Sequence, residues 1–186
     1  MSTLPASISI IRHAEKQLGD VPPRGISIDG SPDLESLTVA GWQRAGALIS
    51  LFVPRPGAIA PLPTPSRLFA SELGPHSHSR RPIETLMPLS KRLVVTLDEP
   101  FFQDQLDQLV AALRGCDGHV LVAWEHKRIP LIANRLVGSS AGIPQVWPDD
   151  RFDLIWVFEP GPRGTNYRLR QVPQLVLAGD RAQPIV

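Results

Sequence analysis

The sequence predicts an α/β fold, a three-layer sandwich in which a mostly parallel central sheet lies between helices on both faces. Apolar runs of strand length, such as Ser7–Arg12 and His119–Trp124, are typical of strands that are buried on both faces. Segments with apolar residues at helical spacing alternate with these runs, and that alternation favours a parallel sheet. At 186 residues, with 42% hydrophobic and 20% charged residues, the chain fits one domain spanning 1–186 with a sizeable core.

The predicted elements follow the order β-α-β-α-β-α-β-α, with two further strands at the end. The predicted strands are Ser7–Arg12, Ser66–Ser71, Val94–Leu97, His119–Trp124, Asp153–Glu159 and Tyr167–Gln171. The predicted helices are Leu37–Ile49, Ser79–Arg92, Gln105–Leu113 and Ile129–Val137. Ser36 or Thr38 is a suitable N-cap, Pro82 falls in a first helical turn, and Gly138 is a suitable helix stop. Val94–Leu97 is short enough for an edge strand, and the last two strands are expected to form an antiparallel pair.

Reactive side chains follow three of the predicted strands. Arg12–Glu15 comes at the end of the first strand, Ser71 ends the second, and Glu125 and His126 follow the fourth. In open α/β sheets, ligands bind outside the carboxyl ends of the strands. A guanidinium offers a planar fork of donors to an anion, and an imidazole nitrogen can act as a nucleophile. These strand ends therefore favour a phosphate site, and the alternative for the first of them is a charged turn that binds nothing.

Several motifs occur along the chain in a fixed order. They are Ile11-Arg12-His13-Ala14-Glu15-Lys16, then Leu37-Thr38-x-x-Gly41-x-x-Arg44-Ala45, then Ser71 followed by Ser79-Arg80-Arg81-Pro82-Ile83-Glu84-Thr85-Leu86, and finally Leu121-Val122-Ala123-Trp124-Glu125-His126. Together, over residues 7–137, they resemble the histidine phosphatase superfamily, also called phosphoglycerate mutase-like. Ala14 after the first histidine resembles the small phosphohistidine phosphatase branch. Lys127 stands where the family usually has glycine, the Glu72–His78 segment is longer than the family loop, and large cap insertions are missing.

The resemblance implies a phosphoglycerate mutase-like fold and a role for each site residue. His13 would be the nucleophile that becomes phosphorylated, and Arg12 would hold the phosphoryl oxygens. Arg81, four residues before Thr85, would hold them too, because a transferring phosphoryl group needs fixed cationic donors around it. His126 would donate a hydrogen bond to a transferring oxygen, as an imidazolium. No metal ion or cofactor is implied.

The general acid for the leaving group is the least defined part of the predicted site. Glu125 is the first candidate because it adjoins His126, although alternation along a strand would point it to the other face unless the strand ends before it. Asp104 and then Glu99 follow as candidates, since they lie in the segment where related enzymes carry an acidic residue.

Composition narrows the classes of function. A net charge of +1 without a block of Lys or Arg argues against binding to nucleic acid or a membrane surface, and the cytoplasm is the expected compartment. The single cysteine, Cys116, cannot form an internal disulfide. His76 and His78 have the spacing of a metal pair but no matching ligand set, so a polar rim loop that could contact substrate is the preferred interpretation.

The predicted function is that of a metal-independent phosphatase acting on a phosphomonoester or a phosphoramidate through a phosphohistidine intermediate. Its partner would be a small phosphorylated substrate or a phosphoprotein. Two alternatives stay open: a phosphomutase, in which the phosphoenzyme survives to transfer its group to a second hydroxyl, and a regulatory module that binds phosphate with little or no turnover.

Overall fold

The computed structural model describes residues 5–53, 55, 57, 62–75, 77–161 and 166–186. Within those residues, six strands form one sheet: β1 (Ser7–Arg12), β2 (Arg67–Ser71), β3 (Leu97–Phe101), β4 (His119–Trp124), β5 (Leu154–Pro160) and β6 (Tyr167–Pro173). The strand order is β3-β2-β4-β1-β5-β6. The first four strands in that order run parallel, whereas β5 is antiparallel to β1 and β6 is antiparallel to β5. The sheet is therefore mostly parallel, and the last two strands form the predicted antiparallel pair.

The helices connect the strands much as predicted. They are α1 (Val39–Ala47), α2 (Ile49–Phe52), α3 (Arg81–Leu93), α4 (Leu106–Arg114) and α5 (Ile129–Val137). Of the two proposed N-caps, Thr38 caps α1, because its hydroxyl accepts a hydrogen bond from the backbone N–H of Gly41. The predicted Leu37–Ile49 helix is instead two pieces that meet at Leu48. Gly138 ends α5 in the left-handed conformation, as predicted.

Two apolar layers hold the helices against the two faces of the sheet. Ile8 and Ile10 of β1 face a cluster that includes α4 and α5, whereas Ile11 faces a second cluster that includes α2 and α3. Successive side chains of a strand point to opposite faces, so β1 contributes to both layers and is buried along its whole length. The predicted three-layer α/β sandwich is confirmed.

The predicted edge strand Val94–Leu97 is wrong in position. Val94 is the C-cap of α3, with a φ of 57°, and its side chain is exposed. The chain then turns, and the edge strand β3 begins at Leu97, which pairs with Leu68 of β2. The β-branched pair Val94 and Val95 therefore has the composition of a strand but serves as a helix end and a turn.

The segment after β6 packs beside the carboxyl end of β1 and the amino end of β5. Arg44 of α1 is buried and donates hydrogen bonds to Glu15, Asp180 and Gln174. Residues that are distant in the sequence thereby fix the loop that follows β1. No helix in the part of the chain that the structure describes is long and apolar enough to cross a membrane.

Candidate functional site

Strand register brings the three predicted strand ends together. Arg12 pairs with Trp124 across β1 and β4, and Ala70 pairs with Ala123 across β2 and β4. The backbone N–H of His13 donates to the carbonyl of Trp124 at 3.1 Å, which extends the pairing past the end of β1. A cavity of about 380 Å³ opens at this edge of the sheet. Its lining residues are His13, Lys16, Glu35, Ser71, Pro75, Ser77, His78, Ser79, Arg81, Pro82, Gln103, Glu125 and His126.

His13 is held with one ring nitrogen fixed. Its Nδ1 lies 2.8 Å from the carbonyl oxygen of Ala14, so Nδ1 carries the proton and Nε2 keeps a free lone pair. The Ala14 N–H donates to Oγ1 of Thr85 at 2.8 Å, and this hydroxyl donates in turn to the Arg81 carbonyl. Burial, and then the neighbouring Arg12 cation, lower the pKa of His13 well below its usual value. The ring is therefore neutral at physiological pH, the form in which an imidazole can attack phosphorus.

Arg12 lies behind the cavity rather than in its lining. Its side chain is fully buried, with the guanidinium carbon 3.8 Å from the centre of the Phe152 ring. Nη1 donates to three backbone carbonyls in residues 148–151, the shortest contact being 2.6 Å to Asp149. Nε and Nη2 are buried without a hydrogen-bond partner among the described residues. Burial lowers the pKa of Arg12 to about 10, against the raising effect of Asp149.

His126 lies between two carboxylates. Its Nε2 is 2.6 Å from Oδ1 of Asp149, and its Nδ1 is 3.5 Å from Oε1 of Glu125. Burial, and then Arg12, lower the pKa of His126 to about 4, although the Asp149 contact acts in the opposite direction. The ring is therefore neutral near pH 7 in this structure, and the imidazolium expected beside a bound anion stays a prediction. Because Nε2 faces a carboxylate, the proton belongs on Nε2, and the buried Nδ1 is left as an acceptor.

Arg81 lines the cavity, and each of its three guanidinium nitrogens makes one hydrogen bond to the protein. Nε donates to the Ser36 carbonyl at 3.3 Å, Nη1 donates to the Ser79 hydroxyl at 3.2 Å, and Nη2 donates to the Leu34 carbonyl. Glu84, three residues further along α3, accepts from the Ser36 hydroxyl and the Leu37 N–H. The first turn of α3 thus fixes the 34–37 segment at the rim of the cavity.

The other predicted candidates divide clearly. Glu125 lines the cavity, because β4 ends at Trp124 and strand alternation no longer applies. Asp104 is exposed, Glu99 lies on the edge strand β3, and neither lines the cavity. His78 is exposed and lines the cavity, whereas His76 lies outside the described residues.

Lys16 and Asp149 are site residues whose roles the sequence did not indicate. Lys16 lines the cavity, and its neighbour Glu15 pairs with Arg44. Asp149 follows Trp147-Pro148 in a loop without a motif, and only the folded chain brings it to His126. Across the described ranges, no cluster of three or more His, Cys, Asp or Glu side chains is arranged to hold a metal ion.

Comparison with known proteins supports the fold. No family model and no curated protein matches the chain. Among solved structures, a protein of Agrobacterium tumefaciens assigned as a phosphohistidine phosphatase, SixA, aligns over 89% of this chain and 96% of its own, with 15% identity and a TM-score of 0.55. The native structure of a mycobacterial glucosyl-3-phosphoglycerate phosphatase aligns over 88% of this chain and 96% of its own, with 12% identity and a TM-score of 0.53. Its complex with VO3 aligns over 89% and 97% with 14% identity and a TM-score of 0.52.

These likenesses identify the class of fold to which the chain belongs. Each alignment covers nearly the whole of both chains, so the match is to the complete α/β unit and not to one βαβ segment. The chain has the fold of these phosphatases, which is the phosphoglycerate mutase-like fold predicted from the sequence.

Proposed function

We propose that this chain is a phosphatase that hydrolyses a phosphomonoester or a phosphoramidate through a phosphohistidine on His13. The observation that carries the proposal is the state of the His13 ring. It is neutral, its Nδ1 proton is committed to the Ala14 carbonyl, and the ring forms part of the cavity wall. A nucleophilic imidazole needs each of these properties, because the attacking nitrogen must be unprotonated and aimed at the substrate.

Arg12 supports the proposal because it is a buried cation that has no partner anion in the part of the chain that the structure describes. No carboxylate of the described residues lies within ion-pair distance of its guanidinium, and two of its nitrogens lack hydrogen-bond partners. Buried charges are ordinarily paired, since desolvation of an isolated ion is costly. A phosphoryl group in the adjoining cavity would supply the missing negative charge next to His13.

The proposed reaction has two displacements at phosphorus. The Nε2 lone pair of His13 attacks in line, an N–P bond forms, and the P–O or P–N bond to the leaving group breaks. Glu125, entering in its acid form, gives its proton to the leaving atom. A water molecule then attacks the phosphorus and passes a proton to Glu125. A new P–O bond forms while the N–P bond breaks, its electron pair returns to Nε2, and inorganic phosphate leaves a neutral His13. Arg12 would donate to the phosphoryl oxygens through Nε and Nη2, and Arg81 would do so through the N–H groups that the protein leaves unused. His126 would give its Nε2 hydrogen bond to a phosphoryl oxygen in place of Asp149.

The substrate is proposed to be a small phosphorylated molecule or a phosphoprotein side chain. The names of the structural neighbours, one a phosphohistidine phosphatase and the other a glucosyl-3-phosphoglycerate phosphatase, agree with either class. Because the cationic charge in the proposal comes from side chains, the reaction as written needs no metal ion. The cytoplasm is the compartment proposed for this activity.

Trapping of the covalent intermediate tests the proposal. Wild-type protein, His13→Ala and the control His119→Ala are incubated with a radiolabelled phosphoramidate in the presence of a chelator, then quenched in acid or in alkali. His119 is a suitable control because it bonds Ser7 at the amino end of β4, away from the cavity. We expect an acid-labile, alkali-stable label on the wild type and the control that is absent from His13→Ala. A label that persists in His13→Ala would refute the assignment of the nucleophile.

A phosphate-binding regulatory module is the second candidate, and one observation favours it. Arg12 keeps two buried nitrogens that could bind an anion, whereas Nε2 of His126, a donor that would assist phosphoryl transfer, is taken up by Asp149. Tight binding of inorganic phosphate without any label in the trapping experiment, and without release of phosphate from a panel of monoesters, would establish this candidate instead.

A further inference from the structure

Lys16 is a cavity-lining cation that forms no ion pair with any residue in the described ranges. It lines the same cavity as His13, and no carboxylate among the described residues lies within 4 Å of its ammonium nitrogen. Its nearest acidic neighbour in the sequence, Glu15, is taken up by Arg44 at 2.7 Å. Lys16 is therefore free to bind an anion that enters the cavity.

The backbone around Lys16 is fixed, so its place at the cavity is built into the fold. The Glu15 carbonyl accepts hydrogen bonds from the N–H and the hydroxyl of Thr38. α1 packs so tightly on this turn that a Cβ at Gly41 would lie 2.5 Å from the Glu15 carbonyl oxygen. The side chain of Glu15 is held on the other side by Arg44. With its neighbour fixed in both backbone and side chain, Lys16 extends from a rigid turn.

The other cations of the site are less available than Lys16. Each guanidinium nitrogen of Arg81 donates to the protein, which leaves it one further N–H on Nη1 and one on Nη2. Arg12 is fully buried outside the cavity lining. Burial, and then the charges of Arg12 and Arg81, lower the pKa of Lys16. The positive charges of Lys16, Arg12 and Arg81 thus repel one another in a partly desolvated site, and a bound dianion would reduce that repulsion.

We propose that Lys16 binds the anionic oxygens of the substrate phosphoryl group, in addition to Arg12 and Arg81. The inference rests on the proposed function and adds to it a binding residue that the sequence motifs did not mark. An ammonium acts as a compact point charge with rotatable donors. Arginine, which is also a long and flexible cation, should therefore replace Lys16 with a modest loss of phosphate affinity. Removal of the Lys16 charge should weaken phosphate binding strongly.

Binding of inorganic phosphate, measured by isothermal titration calorimetry, tests the inference. The variants are Lys16→Gln, Lys16→Arg and the matched control Arg80→Gln. Arg80 is an exposed cation next to Arg81 that does not line the cavity. We expect Lys16→Gln to weaken phosphate binding by about tenfold to a hundredfold, because a hydrogen bond to a charged group is lost. Lys16→Arg should stay within about threefold of the wild type, and Arg80→Gln should match it.

The outcomes separate this inference from the proposed function. Wild-type phosphate affinity in Lys16→Gln would overturn the role of Lys16, and so would an equal loss in Arg80→Gln, which would show a general effect of net charge. Either result, with a wild-type protein that still forms the phosphoenzyme, leaves the phosphatase proposal standing. A wild-type protein that neither binds phosphate nor forms the phosphoenzyme overturns the proposed function, and the role of Lys16 with it.

Discussion

Arg12 serves the fold and the candidate site with different atoms of one side chain. Nη1 donates to the carbonyls of Pro148, Asp149 and Arg151, and so fixes the loop that carries Asp149 to His126. Nε and Nη2 are the atoms left for the site. An arginine can divide its work in this way because its donors are spread around a rigid plane, which a lysine lacks. A substitution of Arg12 is therefore expected to disturb the 148–151 loop as well as the binding of the phosphoryl group.

Asp149 places a carboxylate where a substrate oxygen would bind. Its Oδ1 lies 2.6 Å from Nε2 of His126, so it takes up a donor that a phosphoryl group would use and repels an incoming anion. We expect Asp149→Asn to bind inorganic phosphate about twofold to fivefold more tightly, the small effect that suits an exposed charge. The expected gain in affinity is small because the Asp149 side chain is 76% exposed and solvent screens its charge. Calorimetric titration with phosphate measures the change.

Asp150→Asn is the matched control for Asp149→Asn. It removes the same charge one residue away, from a side chain that pairs with Arg181 and not with His126. Its phosphate affinity should stay close to that of the wild type. Weaker phosphate binding in Asp149→Asn would show instead that Asp149 positions His126 for the anion, and the contact would then be part of the binding site.

At the scale of elements, the sequence predicts the sheet better than the helix ends. β1 and β4 have the predicted bounds because each is a largely apolar segment of strand length, and α5 does because Gly138 ends it. Val94 misled the prediction, since its β-branched side chain favours a strand while the chain needs a left-handed residue there to leave α3. Local composition cannot show which of two competing uses the tertiary structure will impose.

The C-cap of α3 can be improved, because valine is poorly suited to it. Val94 has a φ of 57° and its side chain is 92% exposed, so it has a strained backbone and little burial to compensate. Relief of the left-handed strain is worth about 1–2 kcal/mol, and the greater freedom of an unfolded glycine offsets about 0.5–1 kcal/mol of it. We expect Val94→Gly to raise the free energy of unfolding by about 0.5–1 kcal/mol in urea denaturation. Val94→Ala keeps the Cβ and should gain much less, and an equal gain in both variants would contradict the strain argument.

At the scale of the whole molecule, the site depends on contacts that no motif could indicate. The motifs predict that His13, Glu125 and His126 meet, because each follows a strand of the same parallel sheet. They do not predict that Arg44 binds both Glu15 and Asp180, which lies 136 residues after Arg44. They also do not predict the contact between Asp149 and His126. Such contacts join loops through the folded chain, and loops carry no periodicity from which their neighbours can be deduced.

Two buried, neutral histidines make the stability of the whole molecule depend on pH. The pKa of His13 is lowered well below its usual value and that of His126 is lowered to about 4, chiefly by burial. Between about pH 6.5 and pH 4 the unfolded chain binds protons at these residues that the native chain does not bind, so stability falls as the pH falls. We expect each histidine to contribute a slope of up to about 1.4 kcal/mol per pH unit in the free energy of unfolding.

Urea denaturation at pH 7, 6 and 5 measures these slopes, and asparagine variants show where they arise. His13→Asn and His126→Asn should each lose part of the pH dependence, because asparagine does not titrate. Sulfate, which keeps its charge over this range, should stabilise the wild type more at pH 5 than at pH 7, since an anion beside His126 favours its protonated form. The same pH dependence in wild type and in both variants would show that other groups control acid stability. Equal stabilisation by sulfate at both pH values would place the bound anion away from the histidines.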